Sequence, residues 1–148
     1  MDLDRFSALV TRRWNEACSA VDVCPKSVPF QVEIGTYPHF ETPRGYAVAF
    51  DHGNGTYTIR FAPKTLDAPH HRVDGLLRHE LGHTIDYIVP RAKLNRWGKA
   101  RGVPLASTPE RRADDIARAV WGDPIRYDAE LVQSTRRGTF PRPKHLGL

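Results

Sequence analysis

Apolar positions at the start of the chain recur with the period of a helix. Within residues 3–21 they fall at Phe6, Leu9, Val10, Trp14, Ala17 and Val21. This spacing predicts an amphipathic N-terminal helix over residues 3–21. The proline-containing segment 25–29 ends it, because proline removes a backbone donor and fixes φ.

The next stretch has the two-residue period of β-strands. Phe30–Ile34 alternates apolar and polar side chains, as a half-buried strand does. Two further candidate strands, Tyr46–Phe50 and Thr56–Phe61, flank the segment Asp51–Gly55. Glycine and asparagine tolerate the positive φ of a tight reversal, so the pattern predicts one strand followed by a β-hairpin.

After the strands the apolar period becomes helical again. It runs from about residue 73 to residue 88, and Pro90 ends it. Residues 91–106 are basic and contain two glycines and a proline, which predicts a connection with room for one short helix. A last helix opens at Ser107–Glu110, where a hydroxyl can cap free amides and proline suits the first turn, and it ends at Trp121.

The order of these elements predicts the fold class. A chain of 148 residues suits one compact domain and is too short for two. We therefore expect a single α+β domain over residues 1–148, with an N-terminal helix, a small, mostly antiparallel sheet with an edge strand, and two further helices. The basic C-terminal segment, residues 123–148, is expected to be only partly regular.

Composition excludes several classes of protein. The charged fraction is 26% and the hydrophobic fraction 40%, so neither a disordered chain nor a coiled coil is expected. Apolar runs are far shorter than the roughly 20 residues that cross a bilayer. The start, Met1–Arg5, lacks the basic first part and apolar centre of a secretion signal. We expect a protein that is cytoplasmic as synthesised, with export or release by another route left open.

Charge and cysteine content add two expectations. The formal net charge is +5, and the C-terminal segment is basic through Arg136, Arg137, Arg142 and Lys144. No nucleic-acid motif accompanies this charge, so a solvated tail is favoured over a nucleic-acid footprint. The two cysteines, Cys18 and Cys24, are too few for a typical disulfide-stapled domain and lack C-x-x-C spacing, so free thiols are favoured over a bridge.

The central chemical motif is H-E-L-G-H at residues 79–83, inside the predicted helix. Each helical residue advances about 100°, so His79 and His83 lie on one face, one turn apart. Two neutral imidazoles at this separation suit a single zinc ion. Glu80 is near enough to take a proton from a water molecule at the metal without replacing it. The motif therefore supplies two ligands and a base.

The surrounding residues favour a site over two solvent-exposed histidines. An apolar stripe lies about 120–180° around the helix from the histidines. It consists of Leu77, Leu81, Thr84 and Ile88. Gly82 removes a side chain beside the expected ligands, where another backbone can approach closely.

Two histidines leave a catalytic zinc site one protein ligand short. Candidates for the third are Glu110, Asp114, Asp115, Asp86, His70 and His71. Glu110 and Asp114 border the buried face of the last helix, whereas Asp115 points to solvent. Because Glu110 and Asp114 are an i, i+4 pair, one can bind the metal while the other accepts a hydrogen bond from a ligand imidazole. The alternative for these acids is a helix-dipole interaction and surface pairing with Arg111 or Arg118.

H-E-x-x-H followed by E-x-x-x-D on a later helix resembles the gluzincin metallopeptidases. Here the two motifs occupy residues 79–83 and 110–114. In that group the histidines and the first glutamate of the second motif bind zinc, and the acid four residues later supports the first histidine. The resemblance therefore implies Glu110 as the third ligand and Asp114 as the partner of His79. Residues 79–86 are also similar to the catalytic domains of lethal-factor-type toxin peptidases.

The order of elements is similar to the compact members of the group, the minigluzincins. The motifs cover about residues 73–121, and only the order of elements extends the likeness further. In zincins the strand before the active helix is often the sheet edge that pairs with substrate, which implies that role for Thr56–Phe61. The group also uses a tyrosine or histidine to steady the transition state. Tyr127 is the first candidate for it, followed by Tyr87 and His145.

The function implied by this resemblance is that of a zinc metalloendopeptidase acting on a peptide or protein. Glu80 would be the general base for the attacking water and would return the proton to the leaving amine. One alternative is a catalytically weak or inactive zincin-like binding module with a structural zinc, and another is a basic nucleic-acid-associated domain with an incidental histidine pair. An intact Glu80 favours the enzyme, because a structural site needs no base. No membrane partner is expected, and a monomer is favoured.

Overall fold

The structure, a computed structural model, describes residues 1–22, 30–42 and 45–122, together with the backbone of residues 136–137. Within these residues the elements are α1 Leu3–Ala20, β1 Phe30–Ile34, β2 Ala47–Asp51, β3 Tyr57–Phe61, α2 His70–Ile88, α3 Arg91–Ala100, α4 Pro109–Trp121 and β4 Arg136–Arg137. The predicted α+β class is confirmed. Cys24, Tyr127 and His145 lie outside the described residues, so the expectations of free thiols at Cys18 and Cys24 and of a partly regular 123–148 segment stay predictions.

The sheet is mixed, and in this respect the expectation of a mostly antiparallel sheet is wrong. The strand order is β1-β3-β2-β4, with β3 antiparallel to β2 but parallel to β1, and β2 parallel to β4. The hairpin reverses β3 relative to β2, and β3 then inserts beside β1. Thr56–Phe61 was expected at the sheet edge, but β3 is hydrogen-bonded on both sides and is therefore not an edge strand.

Helices α1 and α2 pack on one face of the sheet, and an apolar core lies between them and the strands. Alternate residues of the three longer strands, with buried residues of α1 and α2, make one apolar cluster that includes Phe6, Val32, Ala49, Ile59, Phe61, Leu76, Leu77 and Leu81. The rings of Phe6 and Phe61 meet edge to face with centroids 5.1 Å apart. Burying each large apolar side chain contributes about 1.5–3 kcal/mol, so this layer fixes α2 on the sheet.

Two helices differ from expectation in length. α2 begins at His70 rather than near residue 73, and the short helix allowed within residues 91–106 is a ten-residue helix, α3, over residues 91–100. α3 is anchored by buried Leu94 and by Trp97, whose Nε1 donates to the carbonyl oxygen of Ala20 at 3.1 Å. The expected hydroxyl cap of α4 is absent, since the Thr108 side chain makes no capping hydrogen bond. None of the helices within the described ranges is long and apolar enough to span a bilayer.

Gly82 allows α4 to pack directly on α2, as the sequence predicts. A Cβ at this position would overlap the carbonyl oxygen of Ala113 and lie 3.1 Å from the Ala113 Cα. Glu110 and Asp114 flank Ala113 on α4. The close approach therefore brings both acids to the helix that carries His79 and His83.

Replacing Gly82 with alanine tests this contact, because two effects of opposite sign compete. Intrinsic helix propensity alone favours alanine over glycine by about 1 kcal/mol. Overpacking against a backbone that cannot move freely costs about 1–3 kcal/mol. We expect the steric cost to dominate, so chemical denaturation of metal-free Gly82→Ala should give a lower free energy of unfolding than wild type. A raised or unchanged stability would contradict the close helix contact.

Candidate metal centre

His79, His83 and Glu110 converge where α4 crosses α2. Glu110 Oε2 lies 2.9 Å from His79 Nε2 and 3.4 Å from His83 Nε2, and the two Nε2 atoms are 3.0 Å apart. Ligands about 2.0–2.1 Å from a tetrahedral zinc lie about 3.3 Å from one another. The three donor atoms therefore already have nearly the mutual separations that one tetrahedral ion requires.

Burial orients the histidines. His79 is 0% and His83 1% exposed, because α2 lies between the sheet and α4 and both rings fall in the α2–α4 contact. Their rings stand almost perpendicular, at 88°, with centroids 4.6 Å apart. The Glu110 side chain is 40% exposed, so the cluster meets solvent on its α4 side.

Asp114 fixes the orientation of the first histidine. Its Oδ1 lies 2.6 Å from His79 Nδ1, on the side of the ring away from Glu110. A carboxylate can only accept a hydrogen bond, so Nδ1 carries the proton. In the neutral ring Nε2 is then left with its lone pair directed at the cluster, which is the tautomer that a metal ligand needs.

Glu80 has an environment unlike that of the other acids. It is fully buried, and neither carboxyl oxygen has a hydrogen-bond partner among the described residues. Burial raises the pKa of Glu80 to about 8; the charges of Glu110 and Asp114 also raise it, while His79 lowers it. An unsatisfied buried polar group is costly to stability, and such groups commonly mark a functional site.

The remaining pKa shifts follow from the same geometry. Burial by itself lowers the pKa of His79, but hydrogen bonds to Asp114 and Glu110 outweigh it and raise that pKa to about 10. Burial likewise raises the pKa of Glu110, yet its hydrogen bonds to His79 and His83 hold it at about 2. The pKa of His83 is lowered, chiefly by burial. Without metal the cluster thus combines a protonated His79, a neutral His83 and an ionised Glu110.

The other candidate ligands are engaged elsewhere or lie on the surface. Asp115 accepts from the Ala106 amide at 2.8 Å and pairs with Arg118 at 3.3 Å, so it does point away from the site. The expectation that it points to solvent is wrong, because its side chain is only 21% exposed against the segment before α4. Asp86 accepts from Arg112 Nε at 2.6 Å. His70 and His71 are exposed at the start of α2, more than two helical turns before His79.

Tyr87, the second candidate for transition-state stabilisation, lies beside the centre. The Tyr87 ring lies nearly parallel to that of His83, with centroids 6.4 Å apart and an interplanar angle of 20°. Tyr87 follows His83 by one helical turn, which explains the contact. Of the three candidates for transition-state stabilisation, it is the one that falls within the described residues.

Comparison with known protein families, with curated proteins and with solved structures finds no match to this chain. Function is therefore inferred from the centre itself. Within the described residues, His79, His83 and Glu110 form the one group of three or more metal-ligand side chains whose donor atoms converge.

Proposed function

We propose that this chain is a zinc-dependent metallopeptidase of gluzincin type. His79, His83 and Glu110 would hold the ion, and Glu80 would act as the general base. The observation that carries the proposal is the convergence of three donor atoms beside the fully buried Glu80 carboxyl group, which has no hydrogen-bond partner in the part of the chain that the structure describes. The contact of Asp114 with His79 supports it, because the gluzincin motif assigns that role to the same position.

The donor set fits zinc better than the common alternatives. Two imidazole nitrogens and one carboxylate oxygen are the ligands of a well-known class of catalytic zinc sites. Magnesium and calcium prefer oxygen ligands throughout, and both would be poorly served by two imidazoles. Three protein ligands would also leave a tetrahedral ion with one open position. Catalytic sites need this position for water or substrate, whereas structural sites usually fill it with a fourth protein ligand.

Each residue then has a defined task. A bound zinc ion supplies Lewis acidity, which makes water more acidic and a carbonyl more electrophilic. Glu80 accepts the proton of the water that attacks the peptide carbonyl and donates it to the leaving amine, so it ends the cycle as it began. In the metal-free protein burial favours the protonated form of Glu80, and the charge of a bound cation would lower this pKa toward the ionised form in which a base must start. Asp114 holds the His79 ring so that Nε2 faces the centre.

Metal content and peptide cleavage together test the proposal. Elemental analysis of purified protein should show one zinc per chain, and a broad peptide library should be cut by that protein. A chelator should abolish cleavage and added zinc should restore it. Zinc without cleavage would favour the structural-zinc module instead. Absence of zinc after incubation with the ion would overturn the proposal.

Zinc uptake should release protons, because the ion and a proton compete for His79. The pKa of His79 is raised to about 10, so at pH 7–8 the metal-free protein carries a proton there that the zinc-bound protein cannot keep. We expect release of at least one proton per zinc, with Glu80 contributing to a second, and an affinity that rises by about tenfold or more per pH unit over this range. Calorimetric titration in buffers of different ionisation enthalpy measures the release. Heat that is independent of the buffer would show that His79 does not lose a proton.

A further inference from the structure

A buried arginine connects α2, α3 and α4, two of which carry the proposed metal ligands. Arg112 lies on α4 between Glu110 and Asp114, and it is 1% exposed. Its Nε donates to Asp86 Oδ1 on α2 at 2.6 Å, and its Nη1 donates to Asn95 Oδ1 on α3 at 2.6 Å. Nη1 also lies 3.4 Å from the carbonyl oxygen of Ala106, in the segment that leads into α4.

Burying Arg112 costs free energy of folding, so its bonds to the helices need an explanation other than stability alone. A guanidinium loses its hydration when it is buried, and within the described residues Arg112 Nη2 has no hydrogen-bond partner. Apolar side chains of similar volume often stabilise a protein as well as a buried ion pair does. Hydrogen bonds add direction, which apolar contacts lack. Arg112 therefore constrains how α4 is rotated and where it lies along α2.

That constraint acts close to the proposed ligands. Asp86 follows His83 by three residues, and Arg112 is two residues from both Glu110 and Asp114. A rotation of α4 by about 10° moves an atom about 6 Å from the helix axis by about 1 Å. Metal–ligand distances tolerate only about 0.2 Å. A small error in the rotation of α4 would thus take Glu110 out of coordination range.

We infer that Arg112 is a positioning residue, which sets α4 on α2 through Asp86 and Asn95 and so holds Glu110 and Asp114 at the metal centre. The inference rests on the proposed function, because it concerns the grip of the proposed zinc ligands. Arg112 itself touches neither ligand histidine in the hydrogen-bond network and needs no contact with the metal.

A half-buried arginine on α1 provides the control. Arg13 on α1 makes a two-point pair with Asp74 on α2, with Nε–Oδ1 and Nη2–Oδ2 distances of 2.8 and 2.7 Å. Its side chain is 15% exposed. Substitution by methionine at either position removes a guanidinium from a partly or fully buried ion pair on α2. Of these two arginines, only Arg112 lies on α4, the helix that carries Glu110.

The test compares Arg112→Met with Arg13→Met in full-length protein. We expect both substitutions to lower the melting temperature of the metal-free protein. Arg112→Met should weaken zinc binding about 10–100-fold in competition with a chromophoric chelator, as loss of outer contacts at zinc sites does. Arg13→Met should stay within about twofold of wild type, because its partners Asp74 and Glu16 are not bonded to any proposed ligand. Cobalt substituted for zinc should show altered visible bands in Arg112→Met alone.

Two milder variants keep the test decisive if Arg112→Met does not fold. Arg112→Lys retains a charge near Asp86 but cannot donate to Asp86 and Asn95 together, and Asn95→Ala removes only the bond to α3. Both should weaken zinc binding less than Arg112→Met. Wild-type zinc affinity and cobalt spectra in all three Arg112 and Asn95 variants would overturn the positioning role alone. If wild-type protein itself binds no zinc, the proposed function fails first.

Discussion

Glu80→Gln is expected to abolish peptide hydrolysis while leaving one zinc per chain. Glutamine keeps the shape of the side chain but cannot accept and return a proton, and loss of general acid–base catalysis typically costs about 10²–10⁴-fold in rate. Zinc binding should persist because Glu80 is not among the converging donors, which are His79, His83 and Glu110. The measurement is kcat/KM on a peptide cut by the wild type, with zinc content determined on the same sample.

Glu80→Gln should also change how the free energy of unfolding of the metal-free protein depends on pH. The pKa of Glu80 in the folded, metal-free protein is raised to about 8, against 4.5 ordinarily, so between these values the folded state binds more protons than the unfolded state. Wild-type stability therefore loses a contribution from Glu80 as pH rises from about 4.5 to 8. Glu80→Gln cannot titrate, so its metal-free stability should fall less over that range. Denaturation at several pH values measures the difference.

Glu33→Gln is the matched control for Glu80→Gln. Glu33 is also fully buried, but it lies on β1, on the sheet face opposite that formed by Val32 and Ile34, which pack on the helices. Turnover per folded molecule should be unchanged in Glu33→Gln. Full turnover in Glu80→Gln would refute the assignment of the base, whereas equal losses in the two variants would point to a general effect on folding.

Most helices and strands could be predicted because their signals are local. The two-residue alternation of β1 and the Asn–Gly reversal between β2 and β3 depend only on neighbouring residues. Strand order does not, since alternation marks which face of a strand is buried but not which strand lies beside it. The resemblance to zincins implies an edge position for β3, and pairing on both sides shows that this expectation is wrong.

The helix α3 was underestimated for a different reason. Gly98 was taken as an interruption, but a side chain there would clash with Leu105 and with the carbonyl oxygen of Val103. Its role is close packing, and the helix continues through it. Gly102, with φ of 77°, does follow the helix end. Sequence alone does not distinguish a glycine needed for packing from one needed for a turn.

The residues of the candidate centre could largely be predicted from the sequence, but the role of Arg112 in positioning them could not. Helical spacing places His79 with His83 and Glu110 with Asp114, so each pair follows from one helix. The H-bond between Asp114 and His79 agrees with the gluzincin likeness. Arg112 was missed because an arginine on an amphipathic helix is ordinarily a surface residue. Only the tertiary contact with Asp86 and Asn95 shows that it is buried.

Glu110→Ala is expected to cause the largest loss of metal. It removes one of three protein ligands, so zinc affinity should fall by more than the roughly 10–100-fold that loss of an outer partner costs. At a zinc concentration about 100 times the wild-type Kd, bound metal stabilises the folded state by about 2.7 kcal/mol, and this gain should largely vanish in the variant. Zinc-dependent shifts in melting temperature and chelator competition measure both effects.

Substitutions of two neighbouring acids on α4, Asp114 and Asp115, serve as comparisons for Glu110→Ala. Asp114→Asn retains a hydrogen-bond acceptor for His79 but loses the charge, so its zinc affinity should lie between those of Glu110→Ala and wild type. Asp115→Asn should bind zinc like wild type, because Asp115 contacts the Ala106 amide and Arg118 rather than the cluster. Equal zinc affinity in Glu110→Ala and Asp115→Asn would show that the ion is not held jointly by α2 and α4. The carboxylate from α4 is the feature that distinguishes this centre from two histidines that merely share one face of a helix.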